Sequence, residues 1–287
     1  MAHKIALVTD STCDIPEDWI EQYDITVVPL TIIFGNQQFR DGIDLTSEAF
    51  YARLPNDPAH PSTSQPTPGA FRDAYCRALE HGAEAIIVIT IARAMSGTYE
   101  SARQAAEGFE IPVHVFDGQN NSMGLGWQVI AAARVREAGG SLEDMVAAAS
   151  RVREKMVYYV ALDTIEYLSK GGRIADAARF VSSFLQIKPL IYVKPASGAV
   201  GASIPARTRK ASLQGVYKEF FKHFADVPGQ SLHLTVLHND AREEAEAVAE
   251  RIRQEYAPKE LFVTITSPVL GAHTGPGAVA ILGYSED

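Results

Sequence analysis

AIIVITIARAMSGTYESARQAAEGF (Ala85 to Phe109) begins as an unbroken apolar, largely β-branched run and ends as a helical segment. A run of that kind suits a strand covered on both faces, so the stretch predicts a strand that passes straight into a helix. Outward from it the alternation repeats. AFRDAYCRALEHG precedes it as a helix, PVHVFD follows as a strand, and LGWQVIAAARVREAGG follows that as a helix. Toward the N-terminus, KIALVTDS (Lys4 to Ser11) is a strand, then Asp14, Pro16 and Glu17 form the pattern of a helix N-cap with its capping-box acid, and ITVVPLTIIF returns as a strand. Strands separated by helices predict a parallel, right-handed α/β sheet.

The grammar changes near MVYYVALD (Met156 to Asp163). KPLIYVK and AVGASIPA flank PASG as a hairpin, and SLHLTVLH, ELFVTITS and AVAILGY add strands around two helical segments. The charged helix SLEDMVAAASRVREK (Ser141 to Lys155) links the two regions. The expected fold class is therefore α/β with two domains. Residues 1–155 form an N-terminal, mainly parallel sheet with flanking helices, and residues 156–287 a C-terminal mixed, partly antiparallel α/β domain.

A chain of 287 residues, 46% hydrophobic and 21% charged, has enough apolar material for such cores. It lacks the run of about eighteen apolar residues that spans a bilayer, and MAHKIALVTD turns polar too early for a signal peptide, so a cytoplasmic location is expected. Cys13 and Cys76 are too few for a disulfide framework or a thiolate metal site. With 26 Lys plus Arg against 35 Asp plus Glu, the net charge of -9 argues against nucleic acid as a partner.

Four segments stand out as candidate sites. Ser96, Gly97 and Thr98 lie at the carboxyl end of the strand, where ligands gather in open α/β sheets and where helix amides favour an anion. The hydroxyls can donate to that anion and Gly97 permits close backbone approach; equally, Ser96 or Thr98 can simply cap the helix. PSTSQPTP (Pro61 to Pro68) holds Thr63 among prolines in a predicted loop, either as a rigid display of hydroxyls or as a polar surface turn. LSKGGRIA (Leu168 to Ala175), ahead of a further helical segment, sets Lys170 and Arg173 beside two glycines, which suits a phosphate or carboxylate and also an ordinary helix C-cap. GAHTGPGAVAI (Gly271 to Ile281) places His273 in a predicted loop, as a proton-handling group or a bystander. No GxxxxGK[ST], GxSxG, HExxH or complete GxGxxG motif is present, and His233 and His238 fall on opposite faces of one strand, so neither a cofactor nor a metal is expected.

VTDSTCDIP, FRDGID, TSQPTP, MSGTYESA, SMGLG, EYLSKGGRI, KPLI, RTRKA and HTGPGA together resemble the DegV family, in nearly its order and across essentially the whole chain. The resemblance implies two α/β domains with a long-chain fatty acid held between or within them. It further implies similarity to the lipid-binding subunit of bacterial fatty acid kinase, which presents the acyl carboxylate to a separate, dihydroxyacetone-kinase-like ATP-binding subunit for acyl phosphate formation, with transient membrane contact for ligand exchange. On that similarity Thr63 and Ser96, with Gly97, match the carboxylate-binding positions. Arg173 and His273 match the phosphoryl-transfer or partner-facing end, where a guanidinium or imidazolium would steady the transferred charge. The chain departs from the family pattern at Ala92, Arg93 and Gly118. An alternative expectation is a stand-alone acyl or phosphoryl hydrolase using Ser96 and His273.

Overall fold

The computed structural model describes residues 4–173, 187–203 and 206–286. The chain opens with β1 (Ile5–Asp10), α1 (Glu17–Gln22) and β2 (Ile25–Val28). It then makes an excursion through β3 (Thr31–Phe34), β4 (Gln37–Arg40), α2 (Ser47–Arg53) and β5 (Ser62–Ser64). The alternating pattern resumes with α3 (Pro68–Glu80), β6 (Ala85–Thr90), α4 (Thr98–Ala106) and β7 (Val113–Asp117). Two long helices follow, α5 (Ser122–Glu137) and α6 (Leu142–Lys155), the second started by a Ser141/Asp144 capping box. The remainder comprises β8 (Val157–Ala161), α7 (Glu166–Lys170), β9 (Leu190–Val193), β10 (Val200–Ala202) and α8 (Arg209–Phe221), then β11 (Leu232–His238), α9 (Arg242–Tyr256), β12 (Glu260–Ile265), α10 (Pro268–Thr274) and β13 (Val279–Ser285).

Among the described residues these strands make three sheets. β2-β1-β6-β7 is wholly parallel, as the helix-separated strands require. The six-stranded sheet β10-β9-β8-β13-β11-β12 is antiparallel except for β11 with β12, and β9 and β10 form the expected hairpin. The third sheet, β4-β3-β5, is antiparallel. It corrects two expectations. ITVVPLTIIF is not one strand: Pro29 cannot donate to a ladder, and β2 and β3 on either side of it belong to different sheets. PSTSQPTP is not all loop, because Ser62 to Ser64 pair with β3.

A third correction concerns the first turn. Asp14 is not the N-cap of α1, which has Pro16 there, without a side-chain bond. Asp14 adopts the left-handed conformation (φ 50) and accepts from Ser122 Oγ at 2.5 Å and from the Ser267 amide at 3.1 Å. The helical segment expected after the GGR sequence and residues 204–205 of AVGASIPA lie outside the described residues.

α5 positions everything else. It is apolar on nearly all sides, which marks a helix enclosed by protein, and it lies between the parallel sheet and the six-stranded sheet. Trp127 at its centre is fully buried, packs edge-on to Trp19 with ring centroids 5.7 Å apart, and donates from Nε1 to Thr235 Oγ1 at 3.0 Å. The strand period sorts the six-stranded sheet into two faces: Ala280, Leu282 and Tyr284 turn toward α5, while Val279 and Ile281 pack beneath α8 and α9. The three-stranded sheet, α2 and α10 share a smaller core of Leu30, Ile32, Phe34, Phe50 and Val269.

Candidate functional site

Where α5 leaves the inner face of the six-stranded sheet uncovered, that face borders a cavity of about 240 Å³. Its inner walls are apolar, contributed by Val160 of β8, Ile191 of β9, Val200 of β10, Leu237 of β11 and Ala280 of β13. Leu30 and Ile91, just past the ends of β2 and β6, and Val269 and Leu270 of α10 close the opposite side. Polar side chains gather on another part of the lining: Thr63, Ser96, Asn121, Arg173 and His273. An apolar chamber with a few convergent polar groups is the usual form of a small-molecule site.

The convergence joins residues far apart in the chain. Thr63 Oγ1 lies 2.8 Å from His273 Nε2 across a sequence separation of 210. β5 holds Thr63 by its pairing opposite Ile32. His273 occupies the last turn of α10, not a loop; Pro268 starts that helix and Gly275, with φ 73, ends it. Burial first, then the nearby Arg173 and His60, push the His273 imidazole down to about 4, so it is neutral at physiological pH and no imidazolium is available there. In the tautomer with its proton on Nε2, His273 donates to Thr63 and leaves the threonine hydroxyl hydrogen free to donate into the cavity.

Ser96 Oγ is 2.8 Å from Thr98 Oγ1 and accepts from the Thr98 amide at 3.3 Å, so the hydroxyl partly caps α4 while still lining the cavity. Gly97 is where two segments touch. It is not part of the cavity lining, and a Cβ there would overlap the Gln65 side chain, which crosses it to donate to Ser101 Oγ at 3.1 Å. The glycine lets the TSQPTP segment lie directly on the SGT turn, bringing Thr63 and Ser96 to one cavity.

The GGR segment ends a helix and reaches the cavity. Gly171 caps α7, with its amide bonded back to the Tyr167 carbonyl, and Arg173 stands at the exposed rim of the cavity. The guanidinium donates to the carbonyls of Gly171 at 2.8 Å and Met95 at 3.4 Å. Two departures from the family pattern acquire physical reasons. Arg93 is not part of the lining; it lies over the Tyr99 ring at 4.6 Å and its amide donates to Asp117 at 3.2 Å. Gly118 has no space for a side chain, since a Cβ would sit 2.7 Å from the Thr90 carbonyl oxygen.

A hydrolase needs a base on its serine and an acid orienting that base. Here His273 bonds Thr63, Ser96 bonds Thr98, and His273 Nδ1 is buried with no hydrogen-bond partner among the described residues. Among the described residues no metal-holding cluster occurs and no helix is long and apolar enough to cross a membrane. Sequence reasoning missed Asn121, Tyr158 and Asn239 in the lining. Only Asn121 carried a signal, standing just ahead of the SMGLG segment.

A family model described as DegV, an uncharacterised protein family, matches residues 4–286. A DegV domain-containing protein of Streptomyces coelicolor is 32% identical, over 98% of this chain and 99% of its own length. A Thermus thermophilus DegV family protein, solved in a study of its fatty acid binding, superposes with a TM-score of 0.91 at 32% identity, covering 98% of this chain and 99% of that one. The structure of DegV from Bacillus subtilis, a fatty acid binding protein, superposes at 0.89 with 28% identity, covering 99% of this chain and 100% of that one.

Proposed function

The chain belongs to the DegV family, and on that premise we propose that it binds one long-chain fatty acid in the cavity and presents the carboxylate to a separate ATP-binding kinase subunit. The observation that carries the reading is the single chamber with apolar walls whose polar groups include Thr63, Ser96 and His273. The carboxylate accepts hydrogen bonds from the Thr63 and Ser96 hydroxyls, and His273 fixes the direction of the first. The tail runs along Val160, Ile191, Val200 and Leu237. At about 0.8 kcal/mol per methylene, roughly fourteen buried groups contribute on the order of 11 kcal/mol before entropic costs, so affinity comes mainly from the tail and selection for an acid from the head.

The kinase is assigned to another chain because this one has no glycine-rich phosphate loop with its lysine. Arg173 at the rim is the group placed to meet that partner: phosphoryl transfer gathers negative charge on the moving group, and a fixed guanidinium steadies it. His273, being neutral, contributes orientation and not charge. The domain boundary near residue 155 is proposed as the seam along which the ligand lies.

The test is extraction of the purified, denatured protein with organic solvent and mass spectrometry of the extract. About one acyl chain per protein is expected, displaced when the native protein is first equilibrated with excess oleate. An extract without acyl chains, from protein that also fails to bind a fluorescent fatty acid saturably, would overturn the reading.

A further inference from the structure

Two asparagines in the cavity lining are left over once a carboxylate has been placed on Thr63 and Ser96. Asn239, 2% exposed, stands just past the end of β11. Its Nδ2 donates to Thr274 Oγ1 at 2.7 Å and to the Gly275 carbonyl at 2.6 Å. A carbonyl oxygen only accepts, so the nitrogen must face it and both amide hydrogens are spent. Thr274 is committed as well, because its hydroxyl donates to the Leu270 carbonyl at 2.9 Å. Asn239 is left with Oδ1, an acceptor on the far side of a flat amide whose direction is fixed by two bonds to the end of α10.

Asn121 is held differently. It stands at the N-cap of α5, where an asparagine side chain ordinarily accepts from an amide of the first turn, but it makes no capping bond. Its Nδ2 lies instead 3.2 Å from Met95 Sδ, a weak acceptor with no hydrogen to give, and its Oδ1 is buried with no hydrogen-bond partner among the described residues. Both asparagines lie beside the polar end of the chamber. Thr274, which fixes Asn239, directly follows His273 in the chain; Met95, which faces Asn121, directly precedes Ser96; and all four line the cavity.

We infer that the ligand is a fatty acid bearing a hydroxyl group close to its carboxylate, on the second or third carbon, and that Asn239 and Asn121 select it. The inference rests on the fatty acid reading above and narrows its substrate class. A carboxylate and a methylene chain have no hydrogen to donate, so an unsubstituted acid leaves Asn239 Oδ1 facing hydrocarbon, which is costly for a buried polar atom. A keto group fails for the same reason, being an acceptor only. A hydroxyl donates its one hydrogen to Asn239 Oδ1. Its oxygen accepts from Asn121 Nδ2, whose amide is held by nothing stronger than a thioether and can turn toward it. The hydroxyl belongs near the head of the ligand because each asparagine is held by the chain neighbour of a residue at the polar end.

The experiment is displacement of bound cis-parinaric acid by palmitate and by palmitate hydroxylated on its second, third or last carbon, each enantiomer taken separately. One of the acids hydroxylated near the head should bind about tenfold tighter than palmitate, the worth of a hydrogen bond that also rescues a buried acceptor, while the acid hydroxylated at the tail end should show no gain. Asn239→Leu should bring the ratio of hydroxylated to plain affinity to within about twofold of unity. Hydroxylated acids that bind no tighter than palmitate would overturn the inference and leave the fatty acid reading intact, with water serving the two amides. An equal gain from the tail hydroxyl, or a ratio unchanged in Asn239→Leu, would also overturn it. If neither parinarate nor any of the acids binds saturably, the fatty acid reading fails and this inference falls with it. Should Asn239→Leu not fold, Asn121→Leu keeps the bonds to α10 and decides the matter: the ratio should fall at least about threefold, and an unchanged ratio would overturn the selection.

Discussion

Substituting Gly171 by alanine tests the cavity's polar end through a residue that never touches the ligand. Gly171 has φ -76 and ψ -8, an ordinary conformation for alanine, so the backbone itself raises no objection. The obstacle is space. An added Cβ would overlap His273 Nδ1 and sit 3.0 Å from the Tyr167 carbonyl oxygen. The carbonyl is fixed by the helix, so the imidazole must swing away, and the 2.8 Å bond to Thr63 breaks. A neutral hydrogen bond of this kind is worth about 0.5 to 1.5 kcal/mol, and an unoriented threonine binds a carboxylate less well, so fatty acid affinity should fall roughly three- to tenfold. The matched control is the next residue. Gly172 has φ 70 and nothing within 4 Å of an added Cβ, so Gly172→Ala should cost about 1 kcal/mol of stability and leave affinity unchanged. Calorimetric titration with oleate and thermal melts of both variants separate the effects. Unchanged affinity in Gly171→Ala, or equal losses in the two variants, would refute the proposed role of His273 in orienting Thr63.

Ser96→Ala and Thr63→Val should each weaken fatty acid binding about ten- to hundredfold, the worth of a hydrogen bond to a charged acceptor at about 1.5 to 3 kcal/mol; calorimetry showing no change in either removes both from the carboxylate site. Arg173→Ala should keep affinity within a few fold yet lower acyl phosphate output with a matched kinase by at least about tenfold, or 1.4 kcal/mol; loss of both together would return the residue to the binding site. His273 lies at about 4 against 6.5 when free, so its contribution to stability is present above 6.5 and lost as pH falls through the folded value. His273→Gln should therefore flatten the acid side of a melting-temperature profile between pH 4 and 7, and an unchanged profile counts against that linkage.

The alternating half of the fold is legible because buried parallel strands write themselves as continuous apolar runs, and β6, buried along almost its whole length, is the plainest case. The order of the six-stranded sheet is not legible. β13 lies between β8 and β11, and pairings of that sequence separation leave no local trace. Local signals also mislead. The helix pattern at Asp14 and Glu17 is chemically sound, but Asp14 has a stronger use bridging Ser122 and Ser267. GAHTGPG reads as a loop around His273 because it is rich in helix breakers; the opposing signal is Pro268, well suited to the first position of a helix. The hydroxyls of Thr63 and Ser96 can be picked out from their segments, whereas the contact between TSQPTP and SGT depends on Gln65 lying across Gly97 and is invisible until the chain is folded.

The packing around α5 makes the protein its own optical reporter. Trp19 and Trp127 are the chain's two tryptophans, and both lie at the junction where α1 and α5 meet the six-stranded sheet, with Phe262 5.3 Å from the first and 5.5 Å from the second. No other indole dilutes their emission, so its wavelength reads the dryness of that one seam and is blind to fraying elsewhere. A red shift that precedes loss of helical circular dichroism would mean that the halves part before either melts, and coincident transitions would mean that they unfold as one.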